Sequence, residues 1–370
     1  MELIGNVDIV SQLNIARISA ERENRAIPHM IFCGAPGCGK TSMAKRLSEL
    51  TGCELLIIAA DSLKVRDDAV DLMSRFNRTG YNLITGNKIK TIKSRPTLLF
   101  IDEIHNLSLT AQENLGILME EWYIPVTNKQ VMIDGLKRLQ ELIIEGHKSI
   151  FNRYLPISKL KPKDDYQRWS PQFTLIGATT NDGKLSKPFR DRFKLRFSFN
   201  TYSYEESILI LKAHAQRMNL QITDDAIIAI AQRGRGIPRI LVRLLEQCRD
   251  AAITSELLEI TKEITIMVFA LGGIDRNGLT KTDIELMKAL FESQSPLGID
   301  NLAIRLNENP KVVLETIEPY LIQKGLITRA PKGRGLTIAG LEYLFKYGHI
   351  EPNKDELEFS DIPMSAKRIA

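Results

Sequence analysis

The sequence predicts a multi-domain α/β protein. A parallel-sheet domain comes first, a helical domain follows, and a small domain of three helices and a hairpin closes the chain. Three observations carry this. The apolar run "HMIFC" leads straight into the glycine-rich "GAPGCGKTSMA" at 34–44. Two more apolar runs, "TLLFID" and "FTLIGATT", end in polar side chains, as strands buried on both faces of a parallel sheet do. Beyond residue 200 the apolar period becomes helical, and the chain later reaches "LITRAPKGRGLTIAG", two β-type runs about a basic Pro-Gly turn.

The glycine loop is the first element to justify. Gly34, Gly39, Lys40 and Thr41 fit G-x-x-x-x-G-K-[ST], with Ala35, Pro36, Gly37 and Cys38 between them and Ser42 behind. Glycine costs backbone entropy and packs nothing, so a core has no use for this run. A loop without Cβ atoms can turn its amides inward onto phosphates. Lys40 would reach the outer phosphates, and the Thr41 hydroxyl would hold Mg²⁺. The helix after the loop aims its positive dipole end at the same place. A glycine-rich surface turn would explain the glycines alone, but not the strand before and the helix after. The expected ligand is a nucleoside triphosphate.

The bulk composition bounds the rest. A chain of 370 residues exceeds one core, so two or three domains are expected. Its 44% hydrophobic content is that of a globular protein. No apolar run reaches the roughly 18 residues that cross a bilayer, and "MELIGNVDIVSQ" does not read as a signal peptide. No membrane association and a cytoplasmic location are expected. Cys33, Cys38, Cys53 and Cys248 form no C-x-x-C pair, so free thiols are expected rather than zinc. Space filling is the expected role of Cys38. The net charge of +5 is mild but uneven. Residues 128–170 hold nine Lys or Arg against five Asp or Glu, and residues 78–95 hold five basic and no acidic residues. Such blocks suit nucleic acid or an acidic partner, and equally a solvated face.

The second apolar run ends in Asp102-Glu103. In an open α/β sheet, ligands collect at the carboxyl ends of strands. Asp102 can hold Mg²⁺ there, and Glu103 can polarise an attacking water as general base. The third run ends in Thr179-Thr180, where a hydroxyl can orient that water or sense the γ-phosphate. Arg190 and Arg192 follow. An arginine set on a neighbouring subunit's γ-phosphate would stabilise the transition state, whereas a surface bridge to Asp191 would contribute little. Helices are expected over 204–218, 224–233 and 237–252. Pro238 suits the first turn of the third. Arg239 beside it gains nothing from the dipole, which hints at a nearby anion.

The run "LGGIDRNGLT" reads as a linker. The three short helices and hairpin after it make a winged helix. Arg329, Lys332 and Arg334 on its wing are expected to point outward onto backbone phosphates. A winged helix that makes only protein contacts is the alternative.

Together these motifs resemble the RuvB family, AAA+ motors that drive branch migration of Holliday junctions. The most specific pieces are "LLFIDEIH", "FTLIGATT", "PFRDRF", "RGIPRI" and "IEPYLIQKGLITRAPKGR". The resemblance implies an AAA+ P-loop ATPase with parallel sheet, helical lid and C-terminal winged-helix domain, using ATP and Mg²⁺. It makes Lys40 and Thr41 the Walker A pair, Asp102 and Glu103 the Walker B pair, and Thr180 the sensor 1 residue. Arg192 becomes the finger acting on the next subunit, and Arg239 the sensor 2 arginine. Tyr202, Pro238, Leu3 and Ile4 would hold the adenine. It also implies a homo-oligomeric ring, a hexamer, around duplex or four-way junction DNA, loaded by a RuvA-like partner. Expected domains are 1–200 (with insertions near 78–96 and 123–170), 201–273 and 274–346, then a polar tail over 347–370. Leu3 stands where the family has an aromatic, and Asn181 where it has an arginine. The second long stretch, 106–172, covers the family's RuvA-docking hairpin, and "GLKRLQELIIEGH" within it reads as an added helix. An AAA+ loader or switch acting on a protein client at DNA is the alternative function. A sequence-reading transcription regulator is weaker, because "KVVLETIEPYLI" offers few side chains for base edges.

Overall fold

The computed structural model describes residues 4–23, 25–63, 82–85, 88–91, 97–119, 122–125, 166–169, 173–293 and 295–350. The chain divides into two compact units, Met1–Asn200 and Thr201–Ala370.

The strands of the first unit are β1 (Met30–Gly34), β2 (Glu54–Ala59), β3 (Asn82–Thr85), β4 (Lys88–Thr91), β5 (Thr97–Asp102), β6 (Trp122–Pro125), β7 (Tyr166–Trp169), β8 (Phe173–Thr179) and β9 (Leu195–Phe199). Five of them form one sheet in the order β2-β5-β8-β1-β9, and every pairing in it is parallel. Because side chains alternate along a strand, each strand feeds both faces. Met30, Phe32, Leu98, Phe100, Ile176 and Phe197 pack on one side with Ile9, Leu13, Met43 and Leu47 from the helices Val7–Arg22 and Lys40–Thr51. Ile31, Leu99, Ile101 and Leu175 pack on the other with Ile104, Leu115, Phe189 and Phe193. Phe32 and Phe100 are fully buried, which contributes about 1.5–3 kcal/mol apiece. This double burial fixes the sheet, and the sheet in turn fixes its row of carboxyl ends.

Two local expectations change. The apolar run "CELLIIAA" reads as a short buried strand, but β2 lies at the edge of the sheet and Ile57 is 46% exposed. The period of "TSMAKRLSEL" places Met43, Leu47 and Leu50 on one apolar face of its helix; Met43 and Leu47 are buried, but Leu50 is exposed and Ala44 is buried as well.

The antiparallel pairs β3–β4 and β6–β7 occupy the two long excursions; the backbone register of the second pairs residue 122 with residue 169. The helix expected around "GLKRLQELIIEGH", the one around "RDDAVDLMSRF", much of both basic blocks and the tail beyond residue 350 lie outside the described residues.

The second unit begins with the helices Tyr204–Arg217, Asp224–Arg233, Pro238–Thr254 and Lys262–Leu271. Ser203 and Glu206 form a capping box on the first, and the Thr223 hydroxyl caps the second. A short parallel pair, β10 (Gln221–Ile222) with β11 (Glu259–Ile260), joins their ends. Lys281–Phe291, Ile299–Leu306 and the consecutive helical segments Pro310–Val312, Val313–Ile317 and Glu318–Gln323 make the three-helix part of the winged helix. Its wing is β12 (Ile327–Ala330) and β13 (Gly333–Leu336).

The supposed linker is tightly bound. The Asp275 carboxylate accepts from the backbone amides of Asn277 and Leu279. The Tyr320 hydroxyl donates to the Asn277 carbonyl, and the Asn277 amide donates to the Tyr343 hydroxyl, which also bonds Asp275. From the preceding helical part, Arg233 donates to the Asp275 carbonyl and Arg235 to the Gly278 carbonyl. Arg235 also pairs with buried Asp283 and lies over the Tyr320 ring at 4.3 Å.

Candidate functional site

The phosphate loop bridges β1 and the helix Lys40–Thr51. Gly37 and Gly39 have φ values of 81° and 91°, which favour glycine. Gly34 has a different reason: a Cβ there would lie 2.4 Å from the Phe199 carbonyl oxygen of β9. Lys40 is buried, and its Nζ donates to the Gly34 and Ala35 carbonyls at 2.7 and 3.0 Å. The ammonium is thus held over the loop rather than sent into solvent. Cys38 is buried in the core among Ala44, Phe197 and Phe199, which agrees with a packing role. None of the four cysteines is in a disulfide, and burial pushes the Cys33 thiol up and that of Cys248 to about 12.

Asp102 ends β5, Thr179 ends β8, and β8 lies between β5 and β1. Asp102, Glu103 and Thr180 therefore stand at the same end of the sheet as the glycine loop, all of them half-buried. Glu103 adopts φ 50°, unusual for a residue with a side chain, and its amide donates to Asp102 Oδ1. The turn Ile104–Asn106 that follows buries His105. His105 closes the run "LLFIDEIH", but the sequence assigns it no role; its Nδ1 lies 2.9 Å from Thr179 Oγ1 and 3.3 Å from Glu103 Oε2.

The donor set suits Mg²⁺, a hard cation that takes oxygen ligands, keeps several waters and shares phosphate oxygens. Thr41 and Asp102 offer one hydroxyl and one carboxylate. Among the described residues no cluster of three His, Cys, Asp or Glu could cage a metal alone, so such an ion would need phosphates to complete its shell.

Arg192 follows the helix Lys187–Arg190. It has partners within its own unit: Nη1 donates to the Pro188 carbonyl at 2.6 Å, and the guanidinium lies over Gly116, where a Cβ would come within 3.2 Å of Nε. Arg190 is half-buried nearby. Ile4 is half-buried, and Leu3 lies outside the described residues.

Tyr202, Pro238 and Arg239 belong to the second unit. The structure brings the first two runs together. The Tyr202 amide donates to the Gly236 carbonyl at 2.8 Å, and a Cβ on Gly236 would lie 2.3 Å from the Tyr202 carbonyl oxygen. Gly236 also has φ 65°, so the "RGIP" turn requires glycine there twice over. Pro238 opens its helix, and Arg239 is exposed on the first turn.

The wing departs from expectation. Arg329 and Arg334 face each other across β12–β13, with Pro331 and Lys332 at the tip. Lys332 is exposed, but Arg334 does not point outward. Its side chain is 10% exposed, and Nη2 and Nε meet Glu318 Oε2 at 2.9 and 3.1 Å. Arg329 is 58% exposed, with Nε 3.8 Å from Glu318 Oε1. The acidic partner is absent from the turn and comes instead from the helix Glu318–Gln323. Of the three cations expected on phosphates, Arg334 is a buried structural group.

Fold and site define the class: an ATPase with a phosphate loop on a parallel sheet, followed by a helical lid and a winged helix. The family of ATPases associated with various cellular activities matches residues 30–201, the RuvB AAA lid domain residues 202–275, and the RuvB C-terminal winged helix domain residues 276–345. The Holliday junction branch migration complex subunit RuvB of Wolbachia sp. subsp. Drosophila simulans is 33% identical over 344 residues, 93% of this chain and 92% of that protein. The subunit of the same name from Trichormus variabilis is 32% identical, over 95% of this chain and 84% of that one. The Thermotoga maritima RuvB Holliday junction branch migration motor superposes with a TM-score of 0.70 at 26% identity, over 95% and 96% of the two chains. The chain belongs to the RuvB family.

Proposed function

We propose that this chain is an ATP-driven motor that translocates duplex DNA and drives branch migration at Holliday junctions, in recombination and repair. One observation carries the reading. The glycine loop, the Asp102–Glu103 pair and Thr180 meet at one end of a parallel sheet, in a chain whose second half matches the RuvB lid and winged helix. In this reading the loop amides from Gly34 to Ser42 cradle the ATP phosphates, and Lys40 swings from the loop carbonyls onto the outer ones. Thr41 and Asp102 hold Mg²⁺, which would neutralise charge on the phosphates. Glu103 orients and deprotonates the attacking water, and Thr180 senses the γ-phosphate. Arg239 touches that phosphate from the lid, Arg192 reaches the next subunit's nucleotide, and Tyr202, Pro238 and Ile4 hold the adenine. A hexameric ring, a RuvA-like partner and a cytoplasmic location belong to the same proposal. Lys332 and Arg329 are the wing cations left for DNA backbone contact. No helix among the described residues is long and apolar enough to cross a membrane.

The test is strand exchange on a synthetic four-way junction with ATP, with and without a RuvA-type protein. Junction movement that needs ATP supports the motor. ATPase activity that ignores DNA and responds only to a protein client would replace it with the loader reading.

A further inference from the structure

We propose that His105 is a positioning residue: its imidazole holds the Glu103 carboxylate in the orientation that polarises water and ties it to the tip of β8 through the Thr179 hydroxyl. This deepens the reading of Glu103 as general base and rests on it.

The geometry limits the hydrogen bonding closely. The His105 side chain is 1% exposed, and Thr179 is fully buried. Nδ1 lies 3.3 Å from Glu103 Oε2 and 2.9 Å from Thr179 Oγ1. The Asn181 amide also donates to Thr179 Oγ1, at 2.9 Å. An ionised carboxylate can only accept. An unprotonated Nδ1 would therefore set its lone pair against those of Glu103. A proton on Nδ1 instead serves two acceptors at once, the carboxylate and the hydroxyl. The arrangement selects the Nδ1–H form of the ring.

The backbone explains why such a brace is useful. Glu103 is the first residue past Asp102, at φ 50°, in a region that residues with a side chain seldom occupy. Its carboxylate is 41% exposed at the sheet's end, so burial alone does not fix its rotamer. His105 reaches it from the buried side, two residues on, across the short turn. The other contact of Nδ1 is 74 residues away in sequence, on the strand that ends beside Thr180. A shift of the β8 tip would reach Glu103 through the Thr179–His105 hydrogen bond and the His105–Glu103 contact. The strand that carries the γ-phosphate sensor thus sets the attitude of the base.

The test uses full-length protein with duplex DNA and measures steady-state ATPase activity, nucleotide binding and the far-UV and thermal profiles. His105→Leu removes the donor. His105→Asn places an amide N–H near the Nδ1 position, whereas His105→Gln places one near Nε2. We expect His105→Leu to lower kcat on the order of tenfold, part of the roughly 10²- to 10⁴-fold a positioned base supplies, with KM for ATP within about twofold. His105→Asn should recover most of that loss and His105→Gln little of it. Thr179→Val should act in the same direction, and adding it to His105→Leu should cost less than its effect alone. Wild-type kcat in His105→Leu overturns the proposal. Equal losses in Leu and Asn variants, or a rise in KM that matches the fall in kcat/KM, also overturn it, because they indicate a packing role. Glu103→Gln is the control. Should that variant hydrolyse ATP normally, the general-base reading itself fails. Should it be inactive while His105→Leu stays fully active, only the brace fails.

Discussion

Removing the Arg334 guanidinium should unfold the winged helix before it weakens any DNA contact. Arg334 and Glu318 are buried, with side-chain exposures of 10% and 2%. Truncating Arg334 to Met leaves a buried carboxylate whose remaining cation, Arg329 Nε, is 3.8 Å away on a side chain that is 58% exposed. Breaking a buried pair from one side costs about 3–5 kcal/mol, because the surviving charge stays desolvated. A domain of this size loses roughly 4–8 °C of melting temperature per kcal/mol, so about 12 °C or more is expected. Replacing both partners, Glu318→Leu with Arg334→Met, should restore most of it, since a buried pair exchanged for apolar volume is close to neutral. Calorimetry of the full chain, with the C-terminal transition assigned by hydrogen exchange in β12 and β13, measures both.

Lys332→Ala is the contrasting variant. Lys332 is exposed at the tip, so the melt should hardly move. Duplex affinity should fall and the salt slope drop by about 0.9, the value of one phosphate contact. Adding Arg329→Ala should bring the loss to about two units and no further. The reasoning is refuted if Arg334→Met melts within about 2 °C of wild type and removes a unit of slope on its own, because its guanidinium would then face phosphate.

Two further outcomes follow from the site and a third from the helix Tyr204–Arg217. Glu103→Gln should keep ATP binding and lose turnover by roughly 10²-fold or more; a turnover within twofold of wild type contradicts the base assignment. Arg192→Ala removes a guanidinium that donates to the Pro188 carbonyl at an exposed position. Mixed into wild type it should depress ATPase activity more than linear dilution does, and a linear titration removes the role in trans. Burial, helped by Arg217, holds the His214 imidazole below its ordinary value. A group depressed in the folded state binds fewer protons than in the unfolded chain. Its contribution is complete above the ordinary imidazole pKa and is lost as pH falls from there through the folded value. Denaturation of His214→Gln across that window should show a flatter pH dependence than wild type.

What the sequence made legible is chemistry that needs fixed residue types at fixed spacing. The glycine loop, the carboxylates after "TLLFI" and the threonines after "FTLIGA" are each read within about a dozen residues, because loop and strand end must be contiguous to work. Side-chain pairs that fold brings together from afar have no such spacing. Glu318 and Arg334 are 16 residues apart, Arg235 and Asp283 are 48, and His105 and Thr179 are 74. The edge position of β2 was hidden for a related reason. Five apolar residues in a row suit a central strand, but strand order is a property of the whole sheet.

The run "RGRGIPRI" joins both kinds of information. Its proline and Arg239 are legible, since helix starts have position-specific chemistry. The two arginines before them are not, because their partners lie beyond the helix that follows. Arg233 and Arg235 donate to the backbone of 275–278, and Arg235 pairs with Asp283 at the start of the winged helix. Gly236, between them and Pro238, is locked against Tyr202 by a contact no other residue could make. One turn therefore carries Pro238, proposed to hold the adenine, the exposed Arg239 and the two anchors of the winged helix. A lid displaced by nucleotide would carry the wing with it, since a buried ion pair and a stacked tyrosine resist hinging at residues 271–280. The supposed linker is thus a stiff joint between the lid helices and the winged helix.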